Sequence, residues 1–253
     1  MGASFALTAL AALCAPAPAT GMTGADAAGP PFVDRFERIN ADVWTLSDGW
    51  SNGDWMANDW RASQVRTGNG GARVLLERRR LGAKRFSSGE LQTNELYRYG
   101  YFEARMQVPR GSGIVSGFFT YTQPGGQQTW DEIDIEILGR DTRQIQFTYF
   151  RGGERLAVTL PLGFDAAEGM HTYAFEWATQ YIRWYVDGRL MYEATGENLA
   201  LPHRPQRLYL NLWNSDHLTD WVGPIAHGRG PWTLQVACIA HARRYEGRAL
   251  CTD

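Results

Sequence analysis

Trp130-Asp131-Glu132-Ile133-Asp134-Ile135-Glu136-Ile137-Leu138-Gly139 is the most informative stretch of this 253-residue chain. Isoleucine stands at 133, 135 and 137, and an acid at 132, 134 and 136. Successive side chains of a strand point to opposite faces. A period of two therefore sends three isoleucines into a core and sets three carboxyls in file on the other face.

The same period recurs on both sides of this stretch. Arg73–Glu77, Tyr99–Val108, Ile114–Thr122, Gln144–Phe150, Arg155–Leu160, His171–Trp177 and Leu208–Trp213 read as strands, and Trp232–Tyr245 holds the last one. Ile182–Leu190 reads as a strand running into an Asp187-Gly188 turn, a strong hairpin signal. No segment sustains the helical period of 3.6 for three turns. Many short strands separated by turn residues predict an all-β sandwich or barrel, with room for two sheets of six or seven strands.

Composition sets the outer bounds. Lys plus Arg is 25 and Asp plus Glu is 27, so the net charge is −2. That balance offers neither the broad cationic face of a nucleic-acid binder nor a polybasic membrane surface. The chain carries 10 Trp, 11 Tyr and 11 Phe, which fill a core or form platforms for flat ligands. Trp177 and Trp184, on alternating strands, are read as core or left unassigned. Neither a nucleic acid nor a membrane is an expected partner, and the chain is expected to be a monomer.

Three like charges in file oppose folding. The arrangement suits glycoside hydrolysis, which needs an ionised carboxylate and a protonated carboxyl flanking one bond. Glu132 and Glu136 are four residues apart, about 13 Å along a straight strand. Side chains leaning together on a concave sheet close most of that gap toward the roughly 5–5.5 Å of a retaining pair. Asp134, between them, can share a proton and tune the pair. On the residues alone, the nucleophile and acid roles of the two glutamates stay open. So do a Ca²⁺ site on the three acids and a strand without function. No Cys/His cluster has zinc-ligand spacing.

At these residues the chain resembles glycoside hydrolase family 16, in its form without a bulge in the acidic strand. The segment 130–139 is similar to the bacterial lichenases. So are Gly113–Ser116 running into Phe118–Thr122, His171–Phe175, Trp184–Gly188, Asn211–Asn214 and Trp221. The likeness covers roughly residues 32–235. It implies a jelly-roll sandwich of two curved antiparallel sheets and an endo-acting β-glucanase that retains anomeric configuration. It makes Glu132 the nucleophile, Glu136 the acid/base and Asp134 the assisting carboxyl. It places Asn52, Glu90, Phe119, Tyr121, Trp130, Phe150, Asn211, Trp213 and Trp221 against the glucan. It implies no cofactor, with a structural calcium left open. Where the lichenases carry a disulfide between two early strands, this chain has Asn58 and Ser88. Gln92 stands for an Arg, Phe150 for a Tyr, and the final strand reads Ala237-Cys238-Ile239 in place of an Asp-Trp-Val run. The C-terminal region looks more like members that trim a bacterial exopolysaccharide such as succinoglycan. A transglycosylase and a non-catalytic, lectin-like sugar-binding sandwich are the remaining alternatives.

The N-terminus reads as an export signal. Ala3–Leu13 is apolar and too short to span a bilayer, and Ala17-Pro18-Ala19 is a small-x-small cleavage pattern. The expected layout is a signal peptide over 1–19, a linker over 20–31 and one catalytic domain over 32–253, secreted or periplasmic. Cys14 would leave with the signal. Cys238 and Cys251 would remain, either closing a short loop or standing as free thiols.

Overall fold

A computed structural model describes residues 29–68, 70–122, 129–225, 227–228 and 230–252. The expected signal peptide and most of the expected linker lie outside these described residues. The strands in chain order are β1 (Phe32–Asp34), β2 (Trp44–Leu46), β3 (Asn58–Trp60), β4 (Val65–Thr67), β5 (Ala72–Glu77) and β6 (Phe86–Ser88). Then come β7 (Glu90–Thr93), β8 (Gly100–Gln107), β9 (Ile114–Tyr121), β10 (Asp131–Leu138), β11 (Gln144–Arg151) and β12 (Glu154–Pro161). The series ends with β13 (His171–Trp177), β14 (Ile182–Val186), β15 (Arg189–Ala194), β16 (Arg207–Asn214) and β17 (Trp232–Ala242). A 3₁₀ turn (Ala62–Gln64) and a single helical turn, α1 (Thr219–Val222), complete the described elements.

The strands form a jelly roll of two sheets. One has seven strands in the order β12-β11-β10-β9-β16-β7-β2. The other has ten, with the path β15-β14-β13-β8-β17-β5-β6-β3 and with β1 on β17 and β4 on β5. Pairing is antiparallel except between β3 and β6. The expected six or seven strands hold for one sheet and fall short for the other. Of the strands not read from sequence, β1, β2, β3, β4, β6 and β7 have only three or four residues each, too few to display a period, and β15 was signalled only by the Asp187-Gly188 turn before it.

The core lies between the sheets. Ile133, Ile135 and Ile137 of β10 are fully buried and pack with Phe118, Phe147, Phe175, Trp177 and Trp184. Phe118 and Phe175 bring β9 and β13 into contact across the layers, with ring centroids 5.9 Å apart. Burying each such side chain contributes about 1.5–3 kcal/mol. Trp184 also serves the acidic strand, since its indole N–H donates to the Asp134 carbonyl at 3.1 Å. The β14–β15 hairpin turns on Asp187 and Gly188, with φ of 49° and 75°, the left-handed pair that a two-residue turn of this twist demands.

Asn58 and Ser88 are both buried, on the parallel pair β3 and β6. Asn58 Oδ1 accepts the Asn214 N–H at 3.1 Å, and the Ser88 hydroxyl donates to the carbonyls of Leu75 and Leu212. Hydrogen bonds thus tie these strands to their neighbours. A disulfide joins Cys238 to Cys251 near the C-terminus, with Cα atoms 5.6 Å apart.

Candidate active site

β10 lies third from one edge of the seven-stranded sheet, and strand register defines what surrounds its acids. Cα partners aligned across antiparallel strands point their side chains to one face. Three rows result on the face turned away from the core. Arg155, Phe150, Glu132, Tyr121 and Arg207 form the first. Ala157, Thr148, Asp134, Phe119, Tyr209 and Gln92 form the second. Thr159, Gln146, Glu136, Gly117, Asn211 and Glu90 form the third. Glu132, Asp134 and Glu136 therefore share one face, while Asp131 belongs to the opposite face with the isoleucines.

Asp131 is an anchor. Its carboxylate is inaccessible and accepts the backbone N–H groups of Gly152, His203 and Arg204 at 3.0, 2.9 and 3.1 Å, together with Arg151 Nη1. Burial alone would raise its pKa. The backbone donors and Arg151 outweigh that and hold it below the usual carboxylate range. It fixes the start of β10 against the turn after β11 and the segment before β16.

The other three acids are pushed upward. Burial raises Glu132 to about 8, with repulsion from Glu136 adding to it. Burial raises Glu136 to about 7, moderated by Arg155 and by a hydrogen bond from Gln146. Asp134, only 4% exposed, is raised well above its ordinary value by burial and by its two acidic neighbours. The trio therefore retains protons at neutral pH. Glu132 rises further than Glu136 even though hydrogen bonds from Trp130 and Asp134 draw it down. Glu132 accepts the Trp130 indole N–H at 2.9 Å and is within side-chain hydrogen-bond reach of Asp134. A protonated Asp134 beside it favours an ionised Glu132. Glu136 accepts from Gln146 Nε2 at 3.1 Å.

Aromatic clusters flank the trio. Beside Glu132 and Asp134, Trp130 lies 5.6 Å from Phe150, and Phe119 stacks on Tyr209 at 5.0 Å with Tyr121 alongside. Beyond Glu136, Trp213 lies 5.8 Å from Trp221 and 5.2 Å from Trp55. Trp130 and Trp213 are each only 7% exposed, while Phe119, Phe150 and Trp221 are more open. Glu90 and Asn211 form a buried pair. Asn211 Nδ2 donates to Glu90 at 3.0 Å and Ser47 Oγ donates at 2.7 Å, while burial pushes Glu90 up to about 7. Asn211 Oδ1 is buried without a partner. The Asn52 side-chain oxygen accepts the indole N–H of Trp60 at 2.5 Å, and Trp60 packs in one cluster with Trp213 and Trp221.

Sequence reading passed over Gln146, Thr148, Tyr209 and Arg155. The signal for the first two was the alternation of β11, where Gln144, Gln146, Thr148 and Phe150 interleave with Ile145, Phe147 and Tyr149. Their relevance comes from register with β10, which no single segment displays.

No group of three or more His, Cys, Asp or Glu among the described residues is placed to hold a metal ion. At the final strand, Ala237 and Ile239 offer no side-chain oxygen and Cys238 is committed to its disulfide. These residues do not fit a calcium ion held there by a side-chain carboxylate, and no step below uses one.

Comparison with known proteins agrees with this geometry. A family model for Glycosyl hydrolases family 16 matches residues 52–229. The Beta-glucanase of Bacillus amyloliquefaciens is 42% identical over 200 residues, 77% of this chain and 80% of that protein. The Endo-1,3-1,4-beta-glycanase ExoK of Rhizobium meliloti (strain 1021) is 37% identical over 83% of this chain and 77% of its own length. The solved Bacillus licheniformis beta-glucanase superposes with a TM-score of 0.79 at 38% identity, covering 85% of this chain and 99% of that one. On the extent of these matches, the chain belongs to glycosyl hydrolase family 16 and is a glycoside hydrolase.

Proposed function

We propose that this protein is an exported endo-acting β-glucanase that cleaves β-1,3-1,4-glucan with retention of configuration. The observation that carries the reading is the file of Glu132, Asp134 and Glu136 on one face of β10, between two aromatic clusters. Glu132, favoured as carboxylate by Trp130 and Asp134, attacks the anomeric carbon. Glu136 protonates the departing oxygen. Water, deprotonated by Glu136, then releases the sugar from Glu132. Asp134 holds the proton that keeps Glu132 ionised. The half-buried rings of Phe119, Phe150 and Trp221 suit the C–H faces of sugar rings, and Asn211 and Glu90 suit hydroxyls. The chemistry runs on carboxyls and needs no cofactor. Support for the glucan comes from the β-glucanase relatives, and support for export from the apolar run at Ala3–Leu13.

The test is hydrolysis of barley β-glucan by the wild type, E132Q and E136Q, with the first-formed anomer followed by proton NMR. Each variant should lose at least about 10²–10⁴-fold in turnover, and the first product should be the β-anomer. Near-native turnover by either variant, or an α-anomer formed first, overturns the assignment. A second reading, trimming of a bacterial exopolysaccharide, is supported by the resemblance of the C-terminal region around Ala237–Tyr245 to members that act so.

A further inference from the structure

The net charge of −2 conceals an uneven distribution. Residues 61–85 hold seven Arg and one Lys against a single acid, Glu77. This stretch supplies β4, β5 and β6, at the end of the ten-stranded sheet beyond β17. Half of its cations have partners in the fold. Arg61 pairs with Asp48 at 3.3 Å, Lys84 with Asp54 at 3.5 Å, and Arg85 with Asp216. Arg78 lies over the Phe86 ring and donates to the Gly228 carbonyl at 3.0 Å. The guanidinium groups of Arg66, Arg73, Arg79 and Arg80 differ. All four residues are exposed, and these groups make no hydrogen bond or ion pair with any described residue. Glu77 does not offset them, since its side chain accepts from Gln64 Nε2 at 3.3 Å.

Two of the four face each other. Arg66 of β4 and Arg73 of β5 are Cα partners. The next pair in register, Val65 and Val74, belongs to the core, so both arginines stand on the outer face of the sheet, turned away from the carboxyl trio. The row continues through Gln235 and Gln107, with no acid in it. Like charges directly opposite on a ladder destabilise the pairing. Arg79 and Arg80 follow just past the other end of β5, roughly 20 Å of chain from Arg73. Four uncompensated guanidinium groups are therefore strung along one strand and the connection after it.

We infer that this end of the ten-stranded sheet docks on an anionic membrane surface, with its arginines on phosphate headgroups. A guanidinium presents a fork of donors matched to phosphate oxygens. A cluster of such cations is drawn to the negative surface potential of a bilayer. Residues 61–85 contain no Phe, Tyr or Trp, so the patch has no ring on which the bases of a single nucleic-acid strand could stack. Overall charge gave no sign of this surface, because the sum over the chain averages it away. The docking goes beyond the proposed glucan hydrolysis and does not depend on it.

The experiment sediments the full chain with vesicles of phosphatidylcholine alone and of phosphatidylcholine containing about 40% phosphatidylglycerol. At low ionic strength the protein should bind the mixed vesicles and not the neutral ones, and added salt should release it. Each exposed cation at such a surface is worth about fivefold in affinity. R66Q/R73Q/R79Q/R80Q should therefore bind at least about a hundredfold more weakly. R79Q/R80Q, confined to the connection after β5, should lose about 25-fold and keeps the test open should the fourfold variant not fold. R35Q/R38Q/R189Q/R248Q removes the same charge from other exposed positions and should stay within about fivefold of wild type. The melting temperature of R66Q/R73Q should not fall, since a repulsion is removed. Equal binding to neutral vesicles, equal losses in the two fourfold variants, or tighter binding to a short DNA duplex than to the mixed vesicles overturns the inference.

Discussion

Trp221 and Glu136 are joined through a single amide. The Trp221 indole N–H donates to Gln146 Oε1 at 3.0 Å, and Gln146 Nε2 donates to Glu136 at 3.1 Å. An indole nitrogen can only donate, so Trp221 fixes which end of Gln146 faces the acid. Gln146 Nε2 also lies 3.1 Å from Thr148 Oγ1, which holds the amide from the other side.

This link gives a pH prediction. A donor favours the ionised form of Glu136 and so lowers its pKa. Replacing Gln146 with Met removes the donor at similar volume. The Glu136 pKa then rises, and the alkaline limb of kcat/KM, which reports loss of the acid's proton, should move up by about one unit. W221F frees the amide to turn and should move the limb the same way by less. An alkaline limb that stays in place in both variants would show that the amide does not set the protonation of Glu136.

Glu90 gives a prediction about stability. Its carboxyl titrates near 4.5 when unfolded and is raised to about 7 in the fold by burial. Between those values the folded chain binds more protons, so stability declines as pH rises through the window and is lowest above it. The Glu90 contribution is on the order of 3 kcal/mol, and the raised carboxyls of the trio act in the same direction. Urea unfolding should therefore give a more stable protein at pH 5 than at pH 8, with E90Q narrowing the gap chiefly by stabilising the protein at pH 8. A gap of the same size in E90Q would exclude Glu90 as its source.

How far the sequence could be read depends on how many residues each feature spans. β10 displays its period over eight residues, and the hairpin at Asp187-Gly188 displays its turn chemistry in two. Both were legible because the information is local. β3 and β6, at three residues each, owe their pairing to partners elsewhere in the chain. The carboxyl trio was legible for the same reason as β10. The roles of Gln146 and Arg155 were not, because they depend on β11 and β12 lying beside β10 in one particular register. Asn52 was placed by resemblance in a sugar site, and its observed side-chain bond is to Trp60.

Gly117 sits between Glu136 and Asn211 in register, and its missing side chain leaves space in front of the acid. A Cβ there would meet Asn211 Oδ1 at 2.7 Å, with Phe119 next at 3.5 Å. The obstacle is the end of a side chain and not backbone, so Gly117→Ala should fold. Asn211 must move, however, and it is bonded to Glu90. Displacements below an ångström near reacting groups lower rates by factors of ten to a hundred. Gly117→Ala is expected to lose about tenfold in kcat/KM on barley β-glucan with little change in melting temperature, and Gly117→Val more. Full activity in the valine variant would mean that the space is not used.

The C-terminal tail is held on the opposite sheet. Glu103 of β8 is inaccessible and accepts the N–H groups of Leu250 and Cys251 at 2.9 and 2.6 Å and the Tyr101 hydroxyl at 2.6 Å. Tyr245 stacks on Tyr101 at 4.8 Å and donates its N–H to Glu176 at 3.0 Å. The disulfide between Cys238 and Cys251 closes the same stretch over a separation of 13 residues. Closing a loop of that size restricts the unfolded chain and is worth about 3 kcal/mol. Replacing both cysteines with Ser should therefore lower the unfolding free energy by about 2–3 kcal/mol, and reduction of the wild type should do the same. The tail and the carboxyl trio lie on different sheets, so turnover at 25 °C should stay within about twofold of wild type. Urea unfolding and β-glucan turnover measured on the same preparations check both expectations. A variant as stable as the wild type would show that Glu103 and the tyrosines pin the tail without the disulfide, and a folded but inactive one would reveal coupling between the two sheets.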